Sequence, residues 1–269
     1  MGMPRKAVSY TDYLKVNELL ELQQRLSDPL HHDEMLFIVI HQVYELWFRE
    51  MIHEAEAVMT ALAAGRVRRA TRLYRRMIEI QRVLLQQIAV LETMTPVDFN
   101  EFRDLLNPAS GFQSVQFREL EFLSGVKEPA YLKMVTLDAA SRVALERRLA
   151  EPTLGDAFDV LLRARGFGLP EPGDAGLPAA RIAALKIIYD MHDDHDDLYQ
   201  LCEAMIEYDE NFQLWRFHHV RMVERMIGRK PGTGGSEGVG YLIRTIDKRC
   251  FPELWEVRPH LTGGGAYGG

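Results

Sequence analysis

Between Leu36 and Ile52 apolar side chains recur three and four positions apart, at Leu36, Phe37, Ile40, Val43, Tyr44, Trp47, Phe48, Met51 and Ile52. Only a helix gathers all of them on one side, and a stripe that wide must be covered by other helices. Asp33 and Glu34 open this helix with acids at its positive end. Gly65 interrupts it, and a second long helix is predicted over 66–93. Thr95-Pro96-Val97-Asp98 is a start signal: an N-cap threonine, proline at the first helical position and an acid near the exposed amides. Asn107-Pro108 ends that short helix, and PASGFQS leads to another over 113–123. Helical spacing returns over 132–137, 139–149 and 154–165, a linker rich in proline and glycine covers 166–176, and a long helix is predicted from Pro178 to about Tyr208.

A last helix follows, with Leu214, Phe217, Val220 (or Met222), Val223, Met226 and Ile227 as its expected buried face and Gly228 as its stop. Near the N-terminus 10–26 reads as a short amphipathic helix offering Tyr13, Leu14, Leu19, Leu20 and Leu22. Strand alternation and internal repeats are absent from the pattern. The expected fold is all-α: one domain over 1–269, built of long bundled helices with short additional ones, and a flexible tail over 262–269.

A chain of 269 residues, 47% apolar and 26% charged, can bury a large core. Its 32 basic and 39 acidic residues leave a net charge of −7, the wrong sign for nucleic acid. The arginine run GRVRRATRLYRR has Val67, Leu73, Tyr74 and Met77 on its other face, so it reads as a solvated helix surface. Two cysteines, Cys202 and Cys250, make no disulfide framework. Together with an N-terminus that lacks a signal-peptide pattern and the lack of a membrane-length apolar run, they lead us to expect a cytoplasmic protein.

The histidines and acids admit four readings. A di-iron bundle needs two Glu-x-x-His motifs; Glu50 and His53 supply one, and the nearest second, His192-Asp193-Asp194-His195, has His where Glu is required. The run DMHDDHDD over 190–197 could hold a divalent ion, yet on a helix it also reads as a solvated acidic face. GTGGSEG over 232–238 lacks the lysine of a phosphate loop and follows a helix, so Thr233 and Ser236 better suit a carboxylate or ammonium. Last, Phe37 with His41 and Phe99 with Arg103 each place an aromatic wall one turn from a polar tip. An arginine there needs an anion, a substrate carboxylate for example, and a histidine of the last helix could ligate haem iron. Spacing alone does not choose between these and a core of paired polar groups.

Long blocks then carry a resemblance: HHDEMLFIVIHQVYELWF (31–48), LETMTPVDFNEFRDLLNPASGFQSVQFRELEFLSG (91–125), FQLWRFHH (212–219), ERMIG (224–228), GTGGSEGVGYL (232–242) and FPELWEVR (251–258). The chain closely resembles the haem-dependent tryptophan 2,3-dioxygenases over nearly its whole length. The resemblance implies one haem b per subunit, ferrous when active, with O2 as co-substrate and conversion of L-tryptophan to N-formyl-L-kynurenine, the first step of tryptophan degradation. It makes His219 the axial iron ligand, His41 the distal catalytic histidine, Phe37 and Phe99 the indole walls, Arg103 the carboxylate anchor, Thr233 the loop contact to the amino acid and Ser110 a neighbour of the haem propionates. His218 is left as a supporting or surface residue. Tyr10, Tyr13 and Leu14, within the segment 1–30, match a helix that enters a neighbouring subunit's pocket in a homotetramer, a dimer of dimers. Two departures stand out: the segment usually found before the first tyrosines is nearly absent, and Glu237 replaces the usual loop serine. Some relatives of the fold hydroxylate aromatic amino acids, which is the alternative on the same scaffold; a non-haem di-iron bundle and a non-catalytic scaffold are the alternatives from other classes.

Overall fold

Three long helices set the frame in the computed structural model, which describes residues 7–133, 137–228, 230 and 238–262. Before them come α1 (Tyr10–Leu14) and α2 (Val16–Leu20), with no buried residue in either. The single helix expected over 10–26 is broken at Lys15, whose φ of 55° is left-handed, and it ends early at Glu21. Among the described residues nothing covers its apolar side chains Tyr13, Leu14, Leu19, Leu20 and Leu22, so burial gives no reward for a longer helix.

α3 (His32–Ala63) and α4 (Val67–Leu91) form a hairpin that turns at Gly65, where φ is +65°. α4 is buried on two sides: Tyr74 and Met77 are fully enclosed, and Val67, Ala70, Ile78, Leu84 and Ile88 are nearly so. Its arginines 68, 69, 72, 75 and 76 all point to solvent, as the sequence implied. α5 (Pro96–Arg103) starts on a complete capping box between Thr95 and Asp98 and lies against the start of α3, where His31 Nε2 is 3.0 Å from Glu101 Oε2. A 3₁₀ turn over Gly111–Gln113 leads into α6 (Val115–Leu123), capped by Ser114 and tied to α3 by Gln116, whose amide donates to the carbonyl and carboxylate of Glu45. Where 132–137 is read as helical, the chain makes a 3₁₀ turn over Pro129–Lys133, and 134–136 lie outside the described residues. α7 (Ala139–Ala150) and α8 (Leu154–Ala164) match expectation, and no helix forms in 166–176.

α9 (Leu177–Asp190) and α10 (Asp196–Ile227) differ from the reading in one instructive way. The break falls at 191–195, and a single helix then runs through Tyr208 to Gly228. Electrostatics account for the position: further acids would collect at the negative end of α9, whereas Asp196 and Asp197 sit in the first turn of α10, at its positive end. The buried face of α10 passes through Phe212, Arg216, Val220, Met222 and Met226, so Leu214 and Phe217, expected inside, are exposed. α11 (Val239–Ile243) and α12 (Pro252–Glu256) complete the chain; the expected flexible tail lies, from 263 on, outside the described residues. Among the described residues there is no strand.

α10 runs parallel to α4, as Arg75 to Gln200 and Arg82 to Glu207 show, and Tyr74 meets Tyr208 edge-on at 5.7 Å. Gln81 donates to the Tyr208 carbonyl at 3.0 Å, and Tyr44 of α3 donates to the Leu84 carbonyl at 2.7 Å. These bonds fix the register of all three helices. The C-terminal segment is pinned by Asp209, fully buried on α10, which accepts from the Cys250 and Phe251 amides at 2.9 and 3.1 Å and from Trp255 Nε1 at 3.0 Å. Asp209→Ala strands three donors, each costing roughly 1–3 kcal/mol. The expected loss in urea unfolding is therefore at least about 3 kcal/mol, and a loss below about 1 kcal/mol would remove Asp209 from this role.

Candidate active site

One cavity of about 570 Å³ opens where α3, α5, α6 and α10 come together, and Leu91 and Met94 at the end of α4 line its floor. Phe37, His41, Phe99, Arg103, Ser110 and His219 all line it. Six positions from three separated stretches of sequence thus reach a single space. Thr233, the seventh such position, lies outside the described residues. Tyr10, Tyr13 and Leu14 are exposed on α1 and do not line this chain's cavity.

The aromatic wall is built by helical spacing. Phe37 and His41, one turn apart on α3, have ring centroids 4.1 Å apart, and Phe37 stacks on Phe99 of α5 at 5.7 Å with 25° between planes. Phe102, fully buried behind them, meets Phe99 edge-on at 5.5 Å and holds both rings in place. Arg103 follows Phe99 by one turn; its side chain is 14% exposed and lies 3.9 Å from the outward-facing Asp104 carboxylate.

His41 Nδ1 is 2.7 Å from the Phe37 carbonyl oxygen. A carbonyl can only accept, so Nδ1 carries the proton and Nε2 is left as an acceptor. Burial lowers the His41 pKa, against the opposing pull of the Phe37 carbonyl and Glu45. On the far side of the chain, His219 lies flat against Trp215, with centroids 5.0 Å apart and planes within 7°. Burial, reinforced by His41 and Arg118, lowers its pKa to about 4, so the ring is a neutral imidazole with ligand capacity. Of the two adjacent histidines one points inward: His219 lines the cavity, while His218 is exposed beside Phe217. Ser110 caps the 3₁₀ turn, its Oγ accepting from the Phe112 amide at 3.3 Å.

Sequence reasoning missed a buried charge cluster in the same wall. Arg118, Glu121 and Arg216 line the cavity and are 6%, 2% and 3% exposed. Arg118 and Glu121, three apart on α6, read as an ordinary helix-surface pair. The available signal was their setting between Phe117, Leu120, Phe122 and Leu123, which leaves a charged pair little surface to occupy.

The other metal readings find no support. Among the described residues no group of three or more His, Cys, Asp or Glu side chains converges. His53 is exposed, and in the turn after α9 the side chains of His192 and Asp193 are 53% and 97% exposed.

A family model described as tryptophan 2,3-dioxygenase matches residues 3–148 and 176–261. The chain is 48% identical over 259 residues to the tryptophan 2,3-dioxygenase of Nocardioides sp., covering 94% of this chain and 95% of that protein. The protein of that name from Herpetosiphon aurantiacus is 45% identical over 260 residues, covering 95% and 99%. The one from Serratia proteamaculans is 41% identical over 263 residues, covering 95% and 94%.

The lowered histidine pKa values have a consequence for stability. Between pH 6.5 and about 4 the unfolded chain binds a proton at His219 that the folded chain refuses, so stability is full above that window and falls as pH drops through it. His41 shifts in the same direction. The His219 contribution is at most about 3 kcal/mol. The urea midpoint of the protein without added ligand should fall from pH 7.5 to pH 5, and His219→Leu should fall less; an equal fall would show that His219 titrates normally.

Proposed function

The chain belongs to the tryptophan 2,3-dioxygenase family, and on that premise we propose that its cavity takes L-tryptophan, O2 and one haem b per subunit and yields N-formyl-L-kynurenine. The observation that carries the reading is the convergence of Phe37, His41, Phe99, Arg103 and His219 on one space. Haem fits the residues present. The wall offers a neutral imidazole at His219, an indole stacked on it, mostly apolar surroundings, and buried Nε atoms of Arg118 and Arg216 without an acceptor, which suit a large flat ligand with an anionic edge. His219 would hold the haem iron, and Ser110 would stand by the propionates. Ferrous haem would supply the redox site at which O2 can react with an indole whose electrons are all paired.

The remaining work falls to the chain's own side chains. Phe37 and Phe99, stacked on one another, form the wall against which the indole lies, and the Arg103 guanidinium receives the substrate carboxylate in a bidentate fork. His41 accepts the indole N–H at Nε2, the atom its bond to the Phe37 carbonyl leaves available. Its lowered pKa makes it a poor base for so weak an acid as an indole, so it orients. Holding both reactants in attack geometry supplies the rate. Thr233 would meet the ammonium and carboxylate of the amino acid.

The exposed Tyr10, Tyr13 and Leu14 suit insertion into a neighbouring subunit's cavity in a homotetramer. Buried free thiols at Cys202 and Cys250 suit the cytoplasm, and among the described residues no helix is long and apolar enough to cross a membrane.

An anaerobic absorption spectrum of the haem-loaded, reduced protein, followed by L-tryptophan and then air, tests the reading. A five-coordinate histidine-ligated band with N-formylkynurenine growing after air is expected. A haem band without that product points to hydroxylation, and no haem band ends the proposal. Arg103→Ala should raise the KM for tryptophan by an amount on the order of 2–5 kcal/mol with a smaller effect on kcat. His41→Ala should lower kcat without abolishing it; complete loss with unchanged binding would make His41 an obligatory base.

A further inference from the structure

Beyond the two Nε atoms that suit a ligand's anionic edge, Arg118, Glu121 and Arg216 have no role in the reaction above, yet they are among the most buried charged groups of the described residues. Arg216 stands one turn before His219 on α10, and its Nη2 donates to Glu121 Oε1 at 2.8 Å and its Nη1 to the Lys248 carbonyl at 2.8 Å. Arg118 Nη1 donates to Glu121 Oε2 at 2.5 Å, and its guanidinium lies 3.9 Å from the centroid of the Tyr131 ring. Two cations share one carboxylate, so the cluster keeps one excess positive charge. Guanidinium does not lose its proton in any accessible pH range, so the charge is permanent. Among the described residues the Nε atoms of both arginines are buried without a hydrogen-bond acceptor. An apolar set of the same volume would pack this wall at no electrostatic cost, and packing alone does not explain the cluster.

We propose that Arg216 fixes the helix face that presents His219 and that Arg118, through the excess charge of the cluster, favours the ferrous over the ferric state of iron held there. The inference rests on the haem reading above. One electron from an external one-electron reductant lowers the positive charge of the iron site by one, with no bond made or broken. A permanent cation in the same poorly screened wall stabilises the less positive state. A unit charge acting across roughly 10 Å at an effective dielectric of about 20 changes the ferrous-to-ferric ratio roughly tenfold.

The test is an anaerobic spectroelectrochemical titration of the haem-loaded full chain and three variants. Arg118→Gln should lower the ferrous-to-ferric ratio at fixed potential about tenfold, a midpoint shift of about 59 mV for a one-electron couple. Arg118→Lys should stay within about twofold of the unmodified protein, and Glu121→Gln should shift the ratio the other way. Parallel shifts in Arg118→Gln and Glu121→Gln, or a Lys variant as displaced as the Gln variant, would reduce the cluster to a structural role and overturn the proposal. If Arg118→Gln does not fold, the pair Arg118→Lys and Glu121→Gln decides: a rise in the second with no change in the first supports it, and no rise overturns it. Failure of the unmodified chain to take up haem is a separate outcome, and it removes the premise.

Discussion

The burial of α4 on two sides is the constraint from which the site follows. Because α4 packs against α3 on one face and α10 on another, those helices are locked in register by Tyr44 on the Leu84 carbonyl and Gln81 on the Tyr208 carbonyl. α3 runs against α4 and α10 runs with it. Counting from those bonds, the start of α3 and the far part of α10 both arrive at the end of α4 near Leu91, and Arg225 to Glu92 at 3.5 Å marks the same level. His41 and His219 are far apart in sequence, yet this register leaves them in one cavity floored by Leu91 and Met94.

Periodicity was sufficient to read α3, α4, α7 and α8, whose stripes are long and whose stop signals are strong. It failed where another interaction decided the outcome. Among the described residues nothing covers the apolar side chains of 10–26, and the helix breaks at Lys15. The acids around 191–197 set the break between α9 and α10 by helix electrostatics, which an apolar count does not register. Leu214 and Phe217 keep helical spacing with the true core face but lie off it, because Arg216 and His219 take the inward positions instead. For the site, one-turn pairs found Phe37 with His41 and Phe99 with Arg103, but only the resemblance chose His219 from the nine histidines. Arg118 and Glu121 escaped because an i, i+3 ion pair looks the same in sequence whether it is wet or dry.

That difference matters energetically. A pair such as Arg82 with Glu79, whose side chains are 49% and 67% exposed, is screened and contributes little. Arg216 with Glu121, at 3% and 2%, has surrendered its hydration and is held by geometry alone. Glu121 takes a guanidinium on each oxygen, and Arg216 reaches on to the Lys248 carbonyl; removing Glu121 would leave two buried cations uncompensated. Charges kept on such terms make a stiff wall behind His219.

Stiffness recurs throughout the cavity. His41 has its tautomer set by its own helix, through the Phe37 carbonyl; Phe102 wedges both aromatic walls; Trp215 stacks on His219 one turn away. His41 and His219 are therefore oriented before any ligand arrives. If the chemistry depends on alignment more than on a strong acid or base, this is the arrangement that serves it, since little reorganisation remains when substrate binds. On the proposed reading a neutral His41 suffices, because an acceptor that is already aimed needs no charge to hold an indole N–H in position.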